Sequence, residues 1–229
     1  MIHFAVSAYT RGMAEAVPFS QSHSSEAREA LVARGRRLEY FTIAWNLLEA
    51  VVALLSGAVA GSIALISFGF DSLIETASAL VLLWRLRVDH AAERRSRAER
   101  RSHQLVGLSF LLLAAYILFE SVQALLLREA ALRSVPGVLL AATSVVVMPL
   151  LGRAKRQVAA QLGSGALHSD SRQADFCAYL SAILLAGLLL QWAFGWWWSD
   201  PVAALVMVPI IAREGVQGLR GRGCEDCHS

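Results

Sequence analysis

Long stretches without a single charged residue alternate with short, charge-dense ones along the chain. The uncharged stretches cover 50–70, 104–119, 134–152 and 176–199, with a shorter one at 201–212. About 20 mostly apolar residues suffice for a helix to cross a bilayer. The pattern predicts spans near 40–58, 62–84, 105–127, 136–152, 168–192 and 196–213. The small residues of 56–62 predict a hairpin joining the first two spans. In lipid every backbone polar group has to be satisfied internally, and the short alternating strands of a membrane barrel are absent. The predicted fold is an all-α integral membrane protein, a six-transmembrane-helix bundle. Residues 1–38 read as a tail running into a lead-in helix from about Ser25, 39–220 as the membrane domain and 221–229 as a short tail. Pro149 and Pro209 remove backbone hydrogen bonds within spans four and six and predict kinks there.

Composition supports the same picture. Of 229 residues, 56% are hydrophobic and 17% charged, with a mean hydropathy of +0.50; soluble domains carry about 25% charged residues. Six spans use about half the chain, which leaves too little for a separate soluble catalytic domain. An enzyme is therefore not predicted. Three cysteines, Cys177, Cys224 and Cys227, are too few for a disulfide framework. Arg11, Glu15 and Pro18 interrupt the start of the chain, so it does not read as a cleavable signal.

Charge then orients the spans. Arg11, Arg28, Arg34, Arg36 and Arg37 precede the first span, and seven arginines from Arg85 to Arg101 fill the second connection. Arg153, Lys155 and Arg156 follow the fourth span, and Arg213, Arg220 and Arg222 follow the sixth. The opposite side holds only Arg128 and Arg133. Basic residues gather on the cytoplasmic side, so both termini are predicted to be cytoplasmic in a multi-pass plasma (inner) membrane protein. Trp192, Trp196, Trp197 and Trp198 fall at the opposite boundary, where interfacial tryptophans anchor spans.

Ionisable groups inside spans are costly and mark function. Asp71 and Glu75 stand four residues apart, about 40° around a helix, so they share one face near mid-membrane. Two carboxylates so close in a dry site need a cation, a shared proton or a basic partner. One protonated carboxyl in an interhelical hydrogen bond is the structural alternative. In the fifth span Asp170, Gln173 and Cys177 lie within about 60° of one another, whereas Asp175 is turned about 140° from Asp170. Cys177 reaches nearly the depth of Asp71, and a thiolate beside carboxylates favours a borderline-soft ion such as Zn²⁺. Asp71, Glu75, Asp170 and Cys177 are the candidate metal ligands. Asn46 and Glu49 of span one, Glu120 of span three and Gln173 are candidates for supporting the ligands or for carrying protons.

The stretch Ser62-Ile-Ala-Leu-Ile-Ser-Phe-Gly-Phe-Asp71-Ser-Leu-Ile-Glu75 resembles the second span of the cation diffusion facilitator family, whose metal pair falls on Asp71 and Glu75. The 166–177 segment and Asp200-Pro201 resemble the family's fifth span and the start of its sixth, and Asn46 fits its first. The likeness covers roughly residues 30–220 and implies a proton-coupled efflux transporter for a divalent metal, with no permanent cofactor. In this register the family's fifth-span His and Asp fall on Gln173 and Cys177. The cytoplasmic domain usual after the sixth span is not expected, because nine residues follow Arg220. The implied partners are metal ions, protons and the bilayer, with a homodimer possible and no nucleic acid.

The tail Cys224-Glu-Asp-Cys227-His228 matches a c-type haem attachment pattern and is also an incomplete soft-metal site. A cytoplasmic tail argues against haem. Metal capture and an unstructured tail with incidental cysteines both remain open. Two rival functions follow: a non-transporting membrane metal sensor or partner protein on the same scaffold, and a haem-bearing electron-transfer protein.

Overall fold

The computed structural model describes residues 19–87 and 92–220. Six helices run in order: α1 (Phe19–Ala60), α2 (Ile63–Arg87), α3 (Ala92–Leu127), α4 (Val135–Leu162), α5 (Gly165–Phe194) and α6 (Ser199–Arg220). There is no strand among the described residues. Each helix is long and apolar enough to cross a membrane, and the chain is a multi-pass membrane protein. The helices alternate in direction. One face of the bundle therefore carries the α1–α2, α3–α4 and α5–α6 turns, here the turn face. The other, where α1 begins and α6 ends, is the terminal face.

Several helices outrun the spans read from hydropathy. The lead-in helix and span one are a single α1, α3 begins at Ala92, and α4 continues to Leu162. Charge marks where the bilayer ends but does not break a helix, and good helix formers such as Arg, Glu and Ala continue it. Real stops are left-handed residues. Gly61 (φ +63°), Arg128 (φ 56°) and Gly163 (φ +62°) end α1, α3 and α4. At each, the next N–H reaches back to the carbonyl five residues earlier at 3.0 Å, the Schellman arrangement. Ser134 and Ser164 cap α4 and α5, accepting from the N–H groups of Gly137 and Leu167.

The expected hairpin at 56–62 is shorter than its small residues suggest. Only Gly61 and Ser62 leave the helix. Gly57 is instead a packing residue: a Cβ there would lie 2.8 Å from the Ile66 side chain, and one on Gly69 would lie 2.7 Å from Leu54. Small residues let helix backbones approach closely in membranes, and here they seat α1 on α2. Neither Pro149 nor Pro209 interrupts its helix.

α3 packs chiefly on α6, α4 on α5, and α1 on both α2 and α4. The interior is filled by Leu65, Phe68, Phe110, Ile117, Met148, Leu180, Leu184, Met207 and Ile211. Outward-facing side chains are apolar too, among them Leu55, Val59, Leu112 and Leu139, as a lipid-facing surface requires. α2 is the innermost helix: 56% of its apolar window is buried, against 28–39% in the others.

Polar contacts stitch the turn face. Asp200 of α6 accepts from Ser62 Oγ at 2.5 Å and from the Ile63 N–H at 2.8 Å, capping α2 from another helix. The Leu132 N–H bonds the Ala60 carbonyl at 2.6 Å, and the Gln191 amide donates to the Ala131 carbonyl. Beside these contacts the rings of Phe194, Trp196 and Trp198 stack at centroid separations of 5.0 and 4.8 Å. Trp192, Phe194, Trp196 and Trp198 are exposed, the position of an interfacial belt.

Candidate metal centre

Asp71 and Glu75 sit one turn apart on α2, and both point into the bundle; Asp71 is 0% and Glu75 4% exposed. α5 packs against α2 and brings Cys177, 0% exposed, to the same level. One oxygen from each carboxylate and the Cys177 sulfur lie within 4.8 Å of one another. Tetrahedral Zn²⁺, with bonds of about 2.0–2.3 Å, separates its ligand atoms by about 3.6 Å. Closing by at most about an ångström would seat one ion among the three.

Local chemistry leaves these carboxylates short of donors. Three nearby hydroxyls are turned back onto their own helices: Ser67 onto the Ile63 carbonyl at 2.6 Å, Thr76 onto Ser72 at 2.8 Å and Ser181 onto Cys177 at 2.7 Å, while Ser72 donates to Glu49 at 3.2 Å. Such back-bonding is the usual fate of Ser and Thr within helices. Consequently both oxygens of Asp71 and Oε1 of Glu75 are buried with no hydrogen-bond partner. Asn46 of α1 donates to Glu75 Oε2 at 2.9 Å, and its own Oδ1 is buried and unpartnered. Four acceptor atoms from α1 and α2 thus go unsatisfied beside a buried sulfur. Bare acceptors are expensive in a dry interior unless a proton or a cation fills the space between them.

Glu49 of α1 is the opposite case. It is fully buried and accepts from Trp45 Nε1 at 2.6 Å, from Ser72 Oγ at 3.2 Å and from the Ser144 hydroxyl of α4. The Cys177 thiol also points to it at 4.0 Å. Protein donors satisfy this carboxylate, so Glu49 borders the cluster and holds the sulfur in place.

Asp170 requires a correction. Its phase on α5 suggests a metal ligand, yet its carboxylate pairs with Lys155 of α4, two turns from Cys177 toward the terminal face. A basic partner already occupies it. Gln173 is half-buried on α5, and half-buried Glu120 of α3 does not join the cluster of Asp71, Glu75 and Cys177. Asp175, out of phase as the sequence indicates, pairs with Arg156. Cys224, Cys227 and His228 lie outside the described residues.

Sequence reasoning missed Lys155, Glu39, Ser72 and Ser144. Lys155 reads as a surface charge in a basic cluster, but it is 1% exposed. The signal was periodicity: Ser144, Met148, Gly152 and Lys155 follow helical spacing along one buried stripe of α4. Glu39, Thr42, Asn46 and Glu49 do the same on α1.

A bundle of six membrane-spanning helices with two carboxylates and a thiol converging in its interior has the makings of a membrane carrier for cations. The match to the model of the cation efflux transmembrane domain over residues 40–220 agrees, and the chain belongs to the cation diffusion facilitator (cation efflux) family. It is a metal-cation efflux protein of that family. No curated protein matches the chain.

Proposed function

We propose that the chain exports a divalent transition metal, Zn²⁺ first among them, from the cytoplasm in exchange for protons. Asp71, Glu75 and Cys177 bind the ion. Asn46 fixes Glu75 and offers its carbonyl oxygen, and Glu49 holds the thiol. The observation that carries this reading is the set of unpartnered oxygens around a buried sulfur, because that set has to be filled by a cation or by protons. Metal binding at thiol and carboxylate releases protons, and protonation releases the metal, so each filling excludes the other. A harder cation such as Mg²⁺ gains little from sulfur and keeps its water. Alternating exposure of such a midplane site to the two sides turns this exclusion into exchange. The arginines that crowd the terminal face support its lying in the cytoplasm, with the plasma membrane as host.

The test is zinc-stimulated proton movement in proteoliposomes containing the purified chain. Wild-type protein should move protons when Zn²⁺ is added and bind the metal when purified with it. Asp71→Asn should abolish both. Wild-type flux retained by Asp71→Asn would reject the site, and tight Zn²⁺ binding without flux would favour the sensor alternative.

A further inference from the structure

One group of buried charges takes no part in the ligand cluster. Lys155 of α4 places its Nζ 3.3 Å from the Glu39 carboxylate of α1 and against the Asp170 carboxylate of α5. Lys155 is 1%, Glu39 0% and Asp170 10% exposed. Seven residues separate Glu39 from Asn46 and Asp170 from Cys177, about 10 Å along each helix. The triad therefore lies between the ligand cluster and the terminal face. It ties together α1 and α5, which converge on the cluster, and α4, which reaches it through Ser144 and Glu49. Val158, Ala159 and Leu167, with Leu38 against them, form an apolar plug on the terminal side of the triad. On the turn face the corresponding tie, Asp200 to Ser62 and the start of α2, uses neutral donors. Of these two ties, the one toward the terminal face is built on a cation.

We propose that Lys155 is a tethered counter-ion that closes the route from the terminal face to the ligand cluster, and that it leaves Glu39 and Asp170 when an ion passes. Its ammonium faces two buried carboxyl groups at once. A divalent ion offers the same carboxylates twice the charge at similar distance, and in a medium of low dielectric that difference is large. An arriving ion therefore competes with Lys155 for both acids and loosens the tie between α1, α4 and α5. The plug behind it cannot part while Lys155 bridges the three helices. This gate rests on the transport reading, since a closed route matters only if something travels along it.

Cys177 supplies the probe. With Cys224→Ser and Cys227→Ser it is the remaining thiol of the full chain, and it sits directly beyond the gate. A membrane-impermeant methanethiosulfonate is applied, without added metal, to sealed vesicles of each orientation. Wild-type Cys177 should react slowly from both faces. Lys155→Met should raise the rate at least about tenfold from the terminal face alone, as a local opening would. Lys155→Arg, which keeps charge and pairing, should stay near the wild-type rate. The proposal is overturned if Lys155→Met reacts at the wild-type rate from the terminal face, or if Lys155→Arg reacts as fast as Lys155→Met. Acceleration from both faces also overturns it, because that describes a loosened bundle and not a gate. No metal enters the experiment, so its outcome is independent of the zinc flux that tests the transport reading.

Discussion

At the scale of single residues, what separates a proposed ligand from its support is whether protein donors already satisfy it. Glu49 and Asp71 are both fully buried carboxylates, yet Glu49 accepts three protein hydrogen bonds and Asp71 accepts none. Exchanging sulfur for oxygen at Cys177 should therefore change the choice of ion and leave the pocket standing. Cys177→Asp is expected to lower Cd²⁺ affinity by at least about tenfold while raising that for Mn²⁺, following ligand softness; competition binding on the purified protein measures both. Ser144→Ala should remove a buried donor from Glu49 and cost about 1–3 kcal/mol, read as a lower unfolding temperature in detergent. The meeting of Asp71, Glu75 and Cys177 was legible in the sequence because helical phase and depth along each span are simple arithmetic. The role of Asp170 was not. Its phase agrees with that of Cys177, and only three-dimensional packing reveals that Lys155 reaches it first.

Among the elements, backbone-to-backbone contact at glycines fixes the helix pairs. A Cβ on Gly107 of α3 would stand 2.7 Å from the Gly215 carbonyl oxygen of α6, whereas one on Gly35 of α1 meets nothing closer than 3.7 Å. Gly107→Val is expected to destabilise the protein by about 1–3 kcal/mol or more through overpacking. Gly35→Ala should instead stabilise it by about 0.4–1 kcal/mol, since a gained methyl contact and reduced unfolded-chain entropy favour it. Thermal unfolding of the two variants side by side checks the contrast. Asp200→Ala should cost about 1 kcal/mol by uncapping α2 and Asp200→Asn less, because the amide oxygen still accepts. The existence and order of six spans followed from charge-free stretches, since a bilayer filters for them. Helix ends did not follow, because charged residues extend a helix into water as readily as apolar ones extend it through lipid.

For the whole molecule, the proposed exchange of metal for protons fixes the sign of the response to a gradient. Protons on the release side displace the ion, so acidifying that side should speed zinc efflux and acidifying the loading side should slow it; zinc uptake into inside-out vesicles at imposed gradients measures both. That the chain belongs in a membrane was legible from composition, as few soluble folds tolerate this much apolar surface. The inner charge triad was hidden for the same reason, since in so oily a chain basic residues read first as markers of orientation. A practical consequence attends one member of that triad. Lys155 is the sole lysine among the chain's 21 basic residues, and it is buried. Acylating reagents, amine cross-linkers and lysine acetylation thus find no side-chain target on the closed protein. Any lysine adduct recovered from native membranes would be a chemical record that the bundle had parted.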